Sequence, residues 1–311
     1  NHISNNYNYR IVVKSLPSID LLKHISTKTS THRFMLFDED FLVEVVKNFS
    51  NADILLGKPL PALGAGKALN QVSSLVGSKI RWLIDNNERL QNYEILAIQR
   101  QQKLRVNLEL DIGLHRGGFS PDKELATALS TIKKSPFLEF DGFMGYEPHV
   151  VKIPGDKHAH LIDALTLYEQ AIIIARNILK SDFPPNPVLN TAGSPSYQLH
   201  TAFGTKDRIA NELSAGSCLI KPSDFDLPSL EDHIPAAFIA CPILKALNDT
   251  QIPGVPGLGK VMAWWNPNLQ RSLFTYGGNW KAKPVSPEGL SYNPLYGRSS
   301  NQEMINTSEK N

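Results

Sequence analysis

Short apolar blocks alternate with longer stretches of helical spacing over about the first 220 residues. The first block is YRIVVKSLPS, Tyr9 to Ser18, in which Ile11, Val12 and Val13 run straight into Lys14. It reads as a buried strand that ends on a lysine just before a loop. An amphipathic segment, Ser18 to Thr27, follows with Ile19, Leu21, Leu22 and Ile25. RFMLF (Arg33 to Phe37) predicts a second strand, and Asp38 a cap for the helix EDFLVEVVKNF. DILLG (Asp53 to Gly57) is a third strand, with a helical stretch through Leu75. RWLID (Arg81 to Asp85) is a fourth, with a helix to about Gln102. RVNLELD (Arg105 to Asp111) is a fifth, and PDKELATALSTIKK (Pro121 to Lys134) its helix, with proline at the start and lysines at the end. FDGFMGY (Phe140 to Tyr146) is a sixth, with a long helix over about Ala159 to Lys180. PVLNTAG (Pro187 to Gly193) and RIANELSAG (Arg208 to Gly216) are the seventh and eighth.

Eight strands alternating with helices predict an α/β fold, a (β/α)8 TIM barrel. A doubly wound open sheet is the competitor, but no switch-point fingerprint is present. From about Ser223 prolines and glycines multiply, and short pieces follow: FIACPIL, KVMAWW and SLFTYGGNW. These predict a second, smaller, mainly-β domain. The expected division is 1–222 and 223–311. The chain begins with Asn1 rather than Met and ends on INTSEKN, so one or both natural ends are expected to lie outside it, and the second domain with them to be incomplete.

Composition narrows the function classes. With 41% apolar and 20% charged residues, the 311-residue chain has the make-up of a soluble globular protein. A net charge of +2 and no basic run interleaved with aromatics argue against nucleic acid or an anionic membrane as partner. No apolar run approaches the ~20 residues of a membrane span, and no signal peptide is visible. Cys218 and Cys241 are too few for a disulfide framework and match no zinc spacing, which fits a reducing cytoplasm.

Barrel enzymes work at the C-terminal ends of their strands. Strand one ends there on Lys14, and a half-desolvated lysine is a candidate Schiff-base former. Strand five ends in DIGLHRGG with His115 and Arg116, strand six in GYEPH with Tyr146 and His149. Strand seven ends in NTAGSPSY, Thr191 to Tyr197 being small and hydroxylated, and strand eight ends with Gly216 and Ser217. Loops after strands seven and eight often hold a phosphate. A lysine on strand one with such a cradle is the layout of a pyridoxal-phosphate site.

The order strand-Lys, DxGxxRxG, GYxxH, NTAGSP and E-L-x-x-G resembles the alanine-racemase-fold (fold type III) pyridoxal-phosphate enzymes. Within them it resembles the branch of D-threonine aldolases and D-serine dehydratases. The resemblance implies a pyridoxal 5'-phosphate-dependent lyase acting on β-hydroxy D-amino acids. It implies Lys14 as the Schiff-base and proton-moving lysine, and Arg116 as partner of the cofactor's phenolic oxygen. Tyr146 and His149 would lie beside ring or substrate; Thr191, Gly193, Ser194, Gly216 and Ser217 would bind phosphate. It also implies a homodimer. Alanine racemases carry an arginine where this chain has Ser214, a change that suits cleavage or elimination better than racemisation. The branch also uses a divalent metal bound near the C-terminus. GRSSNQEM (Gly297 to Met304) resembles the segment upstream of those ligands, so the metal stays open.

Other readings stand beside these. An amino-acid racemase and a non-catalytic pyridoxal-phosphate-binding protein share the barrel. Arg116 is also readable as a strand-end ion pair, His149 as a structural hydrogen-bonder, Tyr146 as a core cap and NTAGSPS as a turn. His115 is expected to point outward, and Trp264, Trp265 and Trp280 to pack the second domain. GVPGLGK (Gly254 to Lys260) has P-loop spacing, but Val261 replaces the hydroxyl residue, and no strand and helix are expected to flank it. Lys58 rivals Lys14; Lys14 is preferred because strand one is expected opposite the phosphate loops.

Overall fold

A computed structural model describes residues 7–73, 77, 79–202 and 209–310. It divides into two units: one up to Leu219 that also takes in Leu227–Asp232, the other comprising Ile220–Asp226 and the chain from His233.

The first unit is a closed barrel of eight parallel strands in chain order. They are β1 (Asn8–Val12), β2 (Arg33–Leu36), β3 (Asp53–Leu56), β4 (Ile80–Ile84), β5 (Leu104–Glu109), β6 (Leu138–Met144), β7 (Val188–Thr191) and β8 (Glu212–Ala215). β1 closes on β8 with Arg10 opposite Ser214 and Ile11 opposite Ala215. All five residues of β4 are buried, as expected of a strand covered on both faces. The helices are α1 (Ile19–Thr29), α2 (Glu39–Asn48), α3 (Ala62–Gln71), α4 (Asn87–Arg100), α5 (Lys123–Lys134), α6 (Lys157–Leu179) and α7 (Tyr197–Ala202). Asp38 caps α2, accepting from the Phe41 N–H at 2.8 Å. On α5, Leu125, Ala128, Leu129 and Ile132 form one buried stripe. Pro121 precedes this helix instead of starting it; the cap is Asp122, which accepts from the Glu124 and Leu125 N–H groups.

The expected eighth strand is shorter than its apolar run suggests, and Arg208 lies outside the described residues, as does Leu75 at the expected end of α3. Helix α7 stands where only a loop is expected, too short for its period to register.

The N-terminal end of the barrel is filled with ions. The fully buried Arg10 bonds Glu212 on β8, the Phe34 carbonyl on β2, and both the carbonyl and carboxylate of Asp53 on β3. Arg81 on β4 pairs with Asp53 and reaches past β5 to Asp141 on β6. Layers of branched apolar residues are the usual filling.

The second unit holds β9 (Ile243–Asn248), α8 (Leu258–Trp265), β10 (Arg271–Thr275), β11 (Ser291–Tyr292) and β12 (Met304–Thr307). Its antiparallel sheet runs β11-β12-β10-β9. FIACPIL becomes a strand only from Ile243, because Pro242 lacks the N–H a ladder needs. KVMAWW is not a strand but the end of α8; an apolar run of that length does not distinguish the two. Trp264 and Trp265 are 80% and 83% exposed and so do not pack this unit. GVPGLGK is flanked by β9 and α8 after all, but its sheet is antiparallel and Val261 is exposed. No described helix is long and apolar enough to cross a membrane.

Candidate active site

Five strand ends, those of β1, β5, β6, β7 and β8, converge at the C-terminal mouth of the barrel. β1 gives way to a single turn of 3-10 helix, Val13–Ser15, which carries Lys14. Its amine lies 4.6 Å over the Phe37 ring, and no ion pair holds it among the described residues. Partial burial, and then the charge of Arg116, lower its pKa below the ordinary lysine value. Lys14 thus reaches solvent, yet it holds its proton less firmly than a surface lysine.

Arg116 follows a tight turn built around Asp111, which accepts the Gly113 and His115 N–H groups and the His115 ring at 2.9 Å. His115 has φ 55° and points outward, as expected. The Arg116 guanidinium stacks 5.1 Å over the Tyr146 ring and lies 3.6 Å from Glu109. Both readings of Arg116, site residue and strand-end ion pair, therefore have a physical basis. Burial pushes the Tyr146 hydroxyl up, with Glu147 adding to it.

Gly193 makes the next contact. A Cβ on it would stand 2.4 Å from Tyr146 Cε2, so the edge of the ring fits there only against a glycine. Gly216 serves β1 in the same way, since a Cβ there would meet the Val12 carbonyl oxygen at 2.3 Å. His149 is half-buried, its Nε2 beside Gly113 and its buried Nδ1 without a hydrogen-bond partner. Burial lowers its pKa, leaving the ring neutral near pH 7.

The hydroxyls of the β7 and β8 loops divide into two sets. Ser194 Oγ accepts the Gly216 N–H at 3.1 Å and the Cys218 N–H at 3.0 Å, and its hydroxyl also bonds the Cys218 side chain. Ser217 Oγ lies 2.6 Å from Ser15 Oγ, across the β8–β1 closure. Thr191 belongs to the other set. Its hydroxyl is buried and donates to Glu147 Oε2 at 2.7 Å.

Ser214 is buried on β8 and hydrogen-bonded in both directions with Asn190, whose amide also donates to Glu212. Lys58 follows β3, two strands from the β8 closure. β1 is not opposite β8 but paired to it, so the turn that carries Lys14 runs beside the loop after β8, with Val12 against Gly216 and Ser15 against Ser217.

Sequence reasoning passed over two carboxylates. Glu109 sits under Arg116, and burial raises its pKa. Glu147 stands within GYEPH, between two residues given roles, and is fully buried. The only trace of it in the sequence is the run of donors Thr191, Ser196 and His200.

The donor set fits pyridoxal phosphate. A lysine with no carboxylate partner among the described residues, near a second cation, leaves positive charge to be matched by an anion. The hydroxyls of the Ser15–Ser217 pair, with Ser194 beside them, suit a phosphate, and the half-buried Tyr146 ring suits an aromatic neighbour. Among the described residues no cluster of three or more His, Cys, Asp or Glu is arranged to hold a metal ion.

Known proteins share this architecture. A D-threonine aldolase from Filomicrobium marinum superposes with a TM-score of 0.67 at 15% identity, over 99% of this chain and 76% of that one. The alanine racemase from Bacillus anthracis, with bound L-Ala-P, superposes with 0.67 at 15% identity over 98% and 76%. The alanine racemase of Clostridium difficile 630 gives 0.64 at 12% identity over 99% and 78%. At these identities the likeness is one of fold. A comparison with curated protein sequences returned no match. The sequence family described as alanine racemase, N-terminal domain, matches residues 2–223, and the chain belongs to this family of pyridoxal-phosphate enzymes.

Proposed function

We propose that the protein is a pyridoxal-phosphate-dependent lyase that cleaves or dehydrates β-hydroxy D-amino acids. The observation that carries the reading is Lys14, an amine with lowered pKa and, among the described residues, no ion-pair partner, on the same mouth as Arg116, Tyr146 and the hydroxyls of Ser15, Ser194 and Ser217. When bound, the cofactor supplies an aldehyde for an amine and a ring that takes up the electron pair released at Cα.

Lys14 holds the cofactor and moves the Cα proton, its lowered pKa keeping more of the amine free near neutral pH. Arg116 lies over the Tyr146 ring and would donate to the cofactor's phenolic oxygen. Ser194, Ser217, Gly193 and Gly216 hold the phosphate. Thr191 contributes from behind, through Glu147. His149, neutral and with an unused ring nitrogen, would take the proton of the substrate β-hydroxyl as the Cα–Cβ bond breaks, and Cα would take a proton from Lys14 in its ammonium form, His149 being left with the one it accepted. The surroundings of Ser214 favour lyase over racemase chemistry: its hydroxyl bonds the neutral Asn190 amide, and position 214 itself presents no cation to the mouth.

A homodimer is part of the proposal. β9 is an edge strand with every residue exposed, and apolar side chains project from it and from α8.

The test is borohydride reduction of the cofactor-loaded protein with peptide mapping, then a substrate screen. The pyridoxyl mass should fall on Lys14. The same mass on Lys58 would overturn the site, and no label would overturn the cofactor. D-threonine should give glycine and an aldehyde, or D-serine a keto acid and ammonia. Loss of optical activity alone would replace the lyase with a racemase.

A further inference from the structure

Behind the phosphate-side wall lies a carboxylate that the proposed reaction does not use. Glu147 is fully buried and accepts four hydrogen bonds. Thr191 Oγ1 and the Ala192 N–H donate to Oε2 at 2.7 and 3.1 Å; Ser196 Oγ and His200 Nε2 donate to Oε1 at 2.6 and 3.1 Å. These donors span the end of β7, the turn after it and helix α7.

The turn needs such a hold. Ala192 has φ 69°, a left-handed conformation that a residue with a Cβ adopts only when its surroundings fix it. Its N–H is one of the four donors. Two residues on, Ser194 meets the Gly216 and Cys218 N–H groups, and between them Gly193 lies against Tyr146. The chain from Thr191 to His200 is thus tied at both ends to one carboxylate, and its middle forms the wall of the site. Burial alone would push the Glu147 carboxyl up, but the bonds from His200, Ser196 and Thr191 outweigh it and bring the pKa to about 2. It is therefore an acceptor throughout the neutral range.

We propose that Glu147 is a positioning residue: by clamping the β7 loop onto the backbone of β8, it sets the protein's affinity for the phosphorylated over the unphosphorylated form of the cofactor. The proposal deepens the pyridoxal-phosphate reading and rests on it for the ligand. Glu147 has no open side toward the mouth and acts only through Thr191, Ala192, Ser196 and His200.

Glu147→Gln keeps the shape but turns one acceptor oxygen into a donor facing donors. Two readouts on the full chain, freed of cofactor, test the idea. Hydrogen exchange at the Gly216 and Cys218 amides should quicken roughly tenfold or more, the effect of losing about one charge-assisted bond. The dissociation constant for pyridoxal 5'-phosphate should rise by a similar factor, while that for pyridoxal changes by less than about threefold. Ser196→Ala, which removes one donor and spares the charge, should show the same pattern at smaller size and serves if Glu147→Gln does not fold. Unchanged exchange at both amides overturns the clamp. An equal loss for both ligands overturns the phosphate-directed role and leaves Glu147 a general fold residue. Quickened exchange in a protein that binds neither ligand, wild type included, keeps the clamp and overturns the cofactor reading beneath it.

Discussion

At the scale of single residues the site turns on how Lys14 loses its proton. Partial burial is the larger cause of its lowered pKa and the charge of Arg116 the smaller. Removing that charge in Arg116→Met should therefore move the Lys14 inflection upward, but not all the way to the ordinary 10.5. The pH dependence of reductive methylation at Lys14, read by mass, measures it; an unchanged inflection would leave burial as the whole cause. Gly193 supports a second prediction. A methyl 2.4 Å from Tyr146 Cε2 must displace the ring. Gly193→Ala should destabilise the fold by about 1–3 kcal/mol, in the range of overpacked cores, and weaken cofactor binding by tenfold or so. Thermal melts and a cofactor titration read both. Lys14, Arg116 and Tyr146 are legible in the sequence because each ends a strand-and-loop unit whose period is visible. Glu147 is not, because nothing in a string of letters says which of Thr191, Ser196 and His200 donates to it, or that it is fully buried between two partly buried neighbours.

At the scale of elements, the strands are legible as apolar runs and the helices by their caps and stripes. What escapes is the filling of the barrel. Arg10, Asp53, Arg81, Asp141 and Glu212 occupy strands as polar interruptions, and their meeting at one end depends on the register of closure, which no local pattern encodes. Breaking this network should be costly. Arg10→Met leaves Glu212 buried without its main partner, a loss of about 3–5 kcal/mol in urea denaturation. Arg10→Met combined with Glu212→Gln should recover part of it; no recovery would mean that Arg10 acts through the β2 and β3 carbonyls instead. The β7 loop has its own acid limit. The Glu147 pKa is depressed from 4.5 to about 2, so its stabilisation is fully present above the unfolded value and is lost as pH falls from about 5 to 2. That loss is on the order of 3 kcal/mol for one buried carboxylate. Melting temperature against pH should fall less steeply over that interval in Glu147→Gln than in the wild type.

At the scale of the molecule, the two units differ in what they leave to solvent. The barrel closes its sheet and has no edge. The second unit leaves β9 as an open edge, with Ile243, Leu244 and Leu247 each nearly half exposed, and α8 offers Trp264 and Trp265. A surface of this kind is an association site or an aggregation hazard, and folded chains guard edges with charge, proline or a partner. On β9 the one charge, Lys245, is turned onto Gln302 and the Phe274 ring, so it does little to guard the edge. A second copy, as in the proposed homodimer, would meet the need, because a twofold axis presents the same apolar surface to itself. Sedimentation equilibrium should give a dimer of the 311-residue chain. Leu244→Lys together with Trp264→Ser should shift it toward monomer while the barrel's melting transition stays in place. A wild-type monomer that remains soluble at high concentration would overturn the dimer, and a dimer indifferent to both substitutions would move the contact off this surface.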